Sequence, residues 1–186
     1  MNENFYERLN QIKDRLASPE LLSNAGLGNE IGFYIFDYPP ERELAVRRHL
    51  EKVLPEIPCK IAVVNLFELL VEYLKTEKML EDAVNLQCEA GDAELLNAFK
   101  GIIEGARIAP LIAEKALIET HDAVILTGIG NAFPLIRTHD LLNNLQILMN
   151  NKPLVVFYPG VYSGQNLSLF GKLRDENYYR AFRLVV

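Results

Sequence analysis

The run Ile31-Gly32-Phe33-Tyr34-Ile35-Phe36-Asp37-Tyr38-Pro39-Pro40-Glu41 decides the fold class. Ile31 to Phe36 is apolar, β-branched and aromatic, and this predicts a strand. Pro39 and Pro40 end it, because proline lacks the amide donor a sheet ladder needs. Upstream, Phe5, Leu9, Ile12 and Leu16 recur at helical spacing and predict an amphipathic N-terminal helix. Ser18-Pro19-Glu20 reads as a new helix start, with Ser18 as N-cap and Pro19 in the first helical position. A glycine-rich connection, Gly26-Leu27-Gly28-Asn29-Glu30, leads into the strand.

Downstream, Glu41 to Leu54 reads as a helix burying Leu44, Leu50 and Leu54, closed by Pro55 and Pro58. Lys60 to Asn65 is a second strand whose unbroken apolar centre, Ile61 to Val64, suits cover on both faces. Residues 67–120 read as helical throughout, with Phe67, Leu70, Val71 and Leu74 on one face and Gly91, Gly101, Gly105 and Pro110 as punctuation. This block is long for one crossover and predicts a helical insertion. Ala123 to Thr127 is a third strand, followed by a helix over Arg137 to Met149 with Thr138 as N-cap. Leu154 to Tyr158 is a fourth strand ended by Pro159-Gly160, and Tyr179 to Val186 is a last one.

Strands alternating with helices imply right-handed crossovers. The expectation is one α/β domain over residues 1–186. It has a mostly parallel central sheet of about five strands and helices on both faces. Its topology would be P-loop-like or Rossmann-like, without a Walker A motif. A mixed sheet with one antiparallel edge is the alternative.

Composition narrows the setting. The formal net charge of −6 disfavours general attraction to phosphate backbones, so direct nucleic-acid binding is not expected. Arg42, Arg47, Arg48 and Lys52 are diluted by Glu41, Glu43 and Glu51 and read as a solvated helix face. Cys59 and Cys88 lack metal-ligand spacing and read as buried free thiols, so neither a disulfide nor a metal site is expected. Met1 to Arg15 lacks the apolar core of a signal peptide, and no apolar stretch is long enough to span a bilayer. These features predict a cytoplasmic protein.

Ligands of parallel sheets gather at the carboxyl ends of the strands, so the loops there were tested for chemistry. A phosphate-binding loop needs glycine amides and a lysine. After the first strand stand Asp37-Tyr38-Pro39-Pro40-Glu41, which offer prolines and acids. Gly128-Ile129-Gly130-Asn131-Ala132-Phe133 has Phe133 in place of the third glycine of a dinucleotide fingerprint, and no acid follows at the ribose-binding distance. It reads as a turn that needs positive φ. No cofactor is expected. His49 reads as solvated, and His139 is the histidine placed where catalysis usually occurs. It has neither a nucleophile elbow nor an evident cysteine nucleophile beside it. Asp37 reads as a turn residue capping the helix near Glu41, with a role as acid or ligand as its functional alternative.

The segment Leu27-Gly28-Asn29-Glu30-Ile31-Gly32-Phe33-Tyr34-Ile35-Phe36-Asp37-Tyr38-Pro39-Pro40-Glu41 resembles the signature of the BrxB family of BREX (bacteriophage exclusion) defence systems. So do Leu126 to Asn131 with Pro134 to Arg137, then Pro153 to Gly160, and Tyr179 to Leu184. The resemblance implies a place in systems that methylate host DNA and block phage replication. The other members include the methyltransferase PglX, the large ATPase BrxC and the alkaline-phosphatase-like PglZ. It carries no established catalytic residues. It implies complex formation by a non-catalytic adaptor, with PglZ the favoured partner and BrxC and PglX the other candidates.

Candidate partner-binding residues are Tyr38, Pro39, Pro40, Pro159, Tyr162 and Ser163, since rigid aromatic and proline side chains lose little entropy on docking. The loop from Tyr162 to Tyr179 is a further candidate surface. Two other readings stay open. One is an enzyme built on Asp37, Arg137 and His139, which requires these three to converge in one pocket. The other is a nucleic-acid-binding module with a local basic patch at Arg174, Arg180 and Arg183.

Overall fold

The computed structural model describes residues 2–24, 32–175 and 177–186. The Gly26–Gly28 connection and Ile31 fall outside them. The opening helices are α1 (Asn2–Leu16) and α2 (Pro19–Leu22). Phe5, Leu9, Ile12 and Leu16 are all buried. Ser18 caps α2 by accepting from the Leu21 amide at 3.4 Å, with Pro19 in the first turn, as the sequence predicts.

The strands are β1 (Phe33–Tyr38), β2 (Ile61–Asn65), β3 (Ala123–Thr127), β4 (Leu154–Tyr162), β5 (Leu167–Leu169), β6 (Leu173–Arg174) and β7 (Phe182–Arg183). Five of them form a parallel array in the order β2-β3-β4-β1-β7. The sheet is mixed, because β5 pairs antiparallel with the end of β4 and β6 antiparallel with β5. Helix α3 (Glu43–Val53) carries the chain from β1 past β4 and β3 to β2. Helices α4 (Leu66–Thr76), α5 (Leu80–Ala90), α6 (Asp92–Phe99) and α7 (Gly105–Lys115) fill the β2–β3 connection. Helices α8 (Ile129–Ala132) and α9 (Thr138–Leu148) fill the β3–β4 connection.

Side-chain alternation along the strands divides the core. Tyr34, Phe36, Tyr38, Ile125, Val155 and Phe157 pack with α1 and α3. Phe33, Ile35, Val124, Leu126, Leu154 and Val156 pack with α4, α7 and α9. The β1–β2 crossover and the two returning crossovers run in opposite directions and use opposite faces, as a single crossover hand requires.

The α/β class and the mid-chain helical block hold. In dinucleotide-binding and flavodoxin-like sheets the first strand lies beside the second. Here β1 lies between β4 and β7, because both returning crossovers step the same way and bring β4 against β1. The order therefore differs from the Rossmann-like arrangement.

Several local readings are also corrected. Strand β2 is covered on one face only: Ala62 and Val64 are buried, but Val63 is 46% exposed because β2 is the sheet edge. In α3, Val46, Leu50 and Val53 face the core and Leu44 is 65% exposed. In α4 the buried stripe is Leu66, Leu69, Leu70 and Leu74, with Phe67 turned outward. Arg137, not Thr138, holds the N-cap position of α9. Cys59 is half-buried and Cys88 exposed. Burial raises the pKa of the Cys59 thiol, with Asp122 adding to the effect.

Pro159-Gly160 does not end β4. The strand exchanges partners there: Pro159 is the last residue in register with β1, and from Gly160 onward β4 pairs with β5. A Cβ on Gly160 would lie 2.2 Å from the Ser168 carbonyl oxygen, so glycine is what lets β5 approach. The final strand shrinks to Phe182–Arg183, held by β1 on one side. Among the described residues no helix is long and apolar enough to cross a membrane.

Candidate functional site

Asp37 stands at the carboxyl end of β1 and is 7% exposed. Its Oδ1 accepts from Arg8 Nη2 at 2.7 Å and Arg183 Nη1 at 3.2 Å, and its Oδ2 from the Tyr162 amide at 2.9 Å. Arg8 Nη1 also donates to the Asp37 carbonyl at 3.1 Å. That carbonyl lies beyond the short reach of β7, so Arg8 covers a stretch of β1 edge that no strand pairs. Arg183 Nη2 donates in addition to the Tyr162 carbonyl. Asp37 is thus the centre of a clasp joining α1, β1, β4 and β7, and it does not cap the helix near Glu41.

The two tyrosines proposed as docking anchors are interior residues. Tyr38 is buried, and its hydroxyl donates to Glu43 Oε2 at 2.5 Å. Burial, and then this acid, drive the pKa of that hydroxyl far above its ordinary value. Tyr162 is fully buried, and its hydroxyl donates to the Ala181 carbonyl at 2.6 Å. Pro159 is buried and Pro40 half-buried. Of the six candidates, Pro39 and Ser163 reach the surface, and Val161, 53% exposed, joins them. His49 is half-buried, not solvated, and burial followed by Lys52 lowers its pKa.

A cleft of about 710 Å³ opens between the segment after β3 and the β5–β6 hairpin. Arg137, His139 and Asp140 line one wall; Lys172, Arg174 and Asp175 line the other, with Tyr158 and Phe133 between. It lies at the carboxyl end of the parallel strands, where the sheet rule places ligand sites. Arg137 and His139 meet in it, but Asp37 is not among its lining residues.

The cleft's acids are engaged by their own surroundings. Asp140 Oδ2 accepts from the Gly105 amide at 2.6 Å, which ties α9 to the start of α7. Asp175 accepts from the Tyr179 hydroxyl and from the Asn177 amide at 3.0 Å. Burial pushes the Asp175 pKa up, but these hydrogen bonds outweigh it and hold the carboxyl below its ordinary value. For Tyr179, burial and then the bond to Asp175 push the hydroxyl far up. The His139 ring stands edge-on to Tyr179 at 5.5 Å and contacts Asn143 Nδ2 at 3.3 Å.

Reasoning from the sequence singled out Arg137 and His139 but missed Tyr158, Lys172 and Asp175. The one available signal was the density of Tyr, Asn and Arg between Tyr162 and Tyr179. Of the suspected basic patch, Arg174 lines this cleft, Arg180 lines a neighbouring one, and Arg183 is withdrawn to Asp37.

Comparison with known proteins places this arrangement. The family described as "BREX protein BrxB" matches residues 62–184. The chain belongs to the BrxB family. Its curated BrxB relatives include "BREX protein BrxB" of Escherichia coli O9:H4 (strain HS), 43% identical over 96% of this chain and 90% of that protein. Another, of the same description, is from Bacillus cereus (strain H3081.97), 38% identical over 96% of each chain. BrxB membership makes the chain a component of a BREX anti-phage defence system, as the resemblance implied. No solved structure matches it.

Proposed function

We propose that this chain is a non-catalytic adaptor of its BREX system and docks on PglZ through the carboxyl end of its sheet. The observation that carries this reading is an exposed apolar residue at the ends of three different parallel strands. Pro39 follows β1, Phe67 stands two residues past β2 and Val161 is next to last in β4. Apolar groups fixed on a rigid sheet end cost little to order on binding. The enzyme reading needs Asp37 beside Arg137 and His139, whereas the Asp37 carboxylate is committed to two guanidinium groups and an amide.

The test is recovery of PglZ in a pull-down from cells carrying the whole operon. Phe67→Glu and Val161→Glu should each reduce recovery, while Ile147→Glu, at an exposed position on α9, should not. Unchanged PglZ recovery with circular dichroism intact would discard this surface. Selective loss of BrxC or PglX would reassign the partner.

A further inference from the structure

Four cations without an ion pair gather along two neighbouring cavities. Arg8, Lys13, Arg15, Arg47, Lys115 and Arg183 are each paired with a carboxylate. Arg137, Lys172, Arg174 and Arg180 have no ion-pair partner among the described residues. The first three line the large cleft, and Arg180 lines a second cavity of about 220 Å³ that shares His139 with it. The two cavities therefore adjoin at His139, and their linings follow one another from the β5–β6 hairpin across the start of α9 to the approach to β7. Asp140 and Asp175 also line the first cavity; they accept from Gly105, and from Tyr179 and Asn177, and neither forms an ion pair with one of the four cations.

Two aromatic side chains line the same path in contact with solvent: Phe133 in the first cavity, and Tyr178, 61% exposed, in the second. Amide side chains lie between them, Asn177 in the first cavity and Asn143 and Gln146 in the second. Cations that follow a backbone, aromatic faces for stacking and amides that can meet base edges together make a single-strand binding groove. An acidic peptide would use the cations but gain little from the aromatic faces. A net charge of −6 disfavours general phosphate attraction, and that makes a local unpaired positive path the more pointed observation.

We propose that this path binds single-stranded nucleic acid, with Arg137, Lys172, Arg174 and Arg180 on phosphates and Phe133 and Tyr178 against bases. None of Pro39, Phe67 and Val161 lines either cavity.

The test is fluorescence anisotropy of the full chain with a labelled oligo-dT of roughly 12 nucleotides, a length within the span of known single-strand sites. Titrations run at about 50 and 200 mM salt. Four phosphate contacts give a slope of about −3 in log affinity against log salt. Arg174→Glu and Arg180→Glu should each weaken binding about tenfold or more, two charge reversals on the phosphate path. Tyr178→Ala should weaken it about fivefold or more. Arg48→Glu, exposed on α3 across the sheet, should leave it unchanged. Absence of binding at the lower salt, or equal losses with Arg48→Glu, overturns the proposal. Polyglutamate binding as tightly as oligo-dT, with Tyr178→Ala silent, overturns it in favour of an acidic-peptide site. All these side chains are exposed, so circular dichroism should confirm that every variant folds.

Discussion

Arg8 and Arg183 converge on Asp37, whereas Arg137, Arg174 and Arg180 face solvent along two clefts and form no ion pair among the described residues. The guanidinium chemistry is the same and the surroundings differ. At Asp37 the carboxylate is withdrawn from water and the two guanidinium groups are partly covered, and both carboxylate oxygens and the neighbouring amide are matched. Such a cluster holds elements together, and losing one member leaves the others charged and unmatched. In the clefts the cations have no ion pair with which to brace the fold and remain available to a ligand. The contrast separates residues that maintain the fold from residues able to contact something else, and it does so within one end of one sheet.

The strongest way to break the contrast is Asp37→Ala. It strands two guanidinium groups in a partly buried site and should cost about 3–5 kcal/mol, read from urea unfolding. A loss below about 1 kcal/mol would mean that water already satisfies the arginines. Next is Gly105→Ala, where the new Cβ would sit 2.6 Å from the Asp140 carbonyl oxygen and force α7 from α9. A destabilisation of about 1–3 kcal/mol is expected, as for overpacking, seen as a lowered Tm. Tyr38→Phe removes a buried hydroxyl and leaves Glu43 with one donor fewer, which should cost about 1 kcal/mol in the same unfolding assay.

Acid sharpens the comparison from the cleft side. The Asp175 pKa is depressed in the folded chain relative to its ordinary 3.8. The stability it contributes is therefore fully present above that value and is lost as pH falls through the lower folded one. In Asp175→Asn the unfolding free energy should fall less steeply on the acid side, measured by denaturant titration from neutral pH downward. The smallest effect belongs to Arg137→Ala, which should leave stability within about 0.5 kcal/mol. A larger loss would place Arg137 with the structural arginines.

Much of the fold could be read locally. β3 was found at its observed bounds, because Gly128 must turn at φ 73° directly after an unbroken apolar run. α1, α2 and the helical block before β3 followed from spacing and capping. What failed was non-local. Pro159-Gly160 carries every local mark of a terminator, and only the arrival of β5 from further along the chain makes it a place of exchange. Tyr38 and Tyr162 stand where turns usually expose side chains, yet continuation of their strands turns both inward. The candidate site was half legible for the same reason. Arg137 and His139 adjoin a recognisable strand and helix start, whereas Lys172 and Arg174 ride on a hairpin too short to show in hydropathy. Nothing near Asp37 announces partners 29 and 146 residues away.

That last separation bears on how the protein comes into being at the ribosome. Translation at typical bacterial speeds needs on the order of ten to thirty seconds to add 146 residues. Through that interval the nascent β1 holds an acidic group whose second guanidinium has not yet been synthesised. Lasting closure of the sheet around it therefore waits until Arg183 has been synthesised.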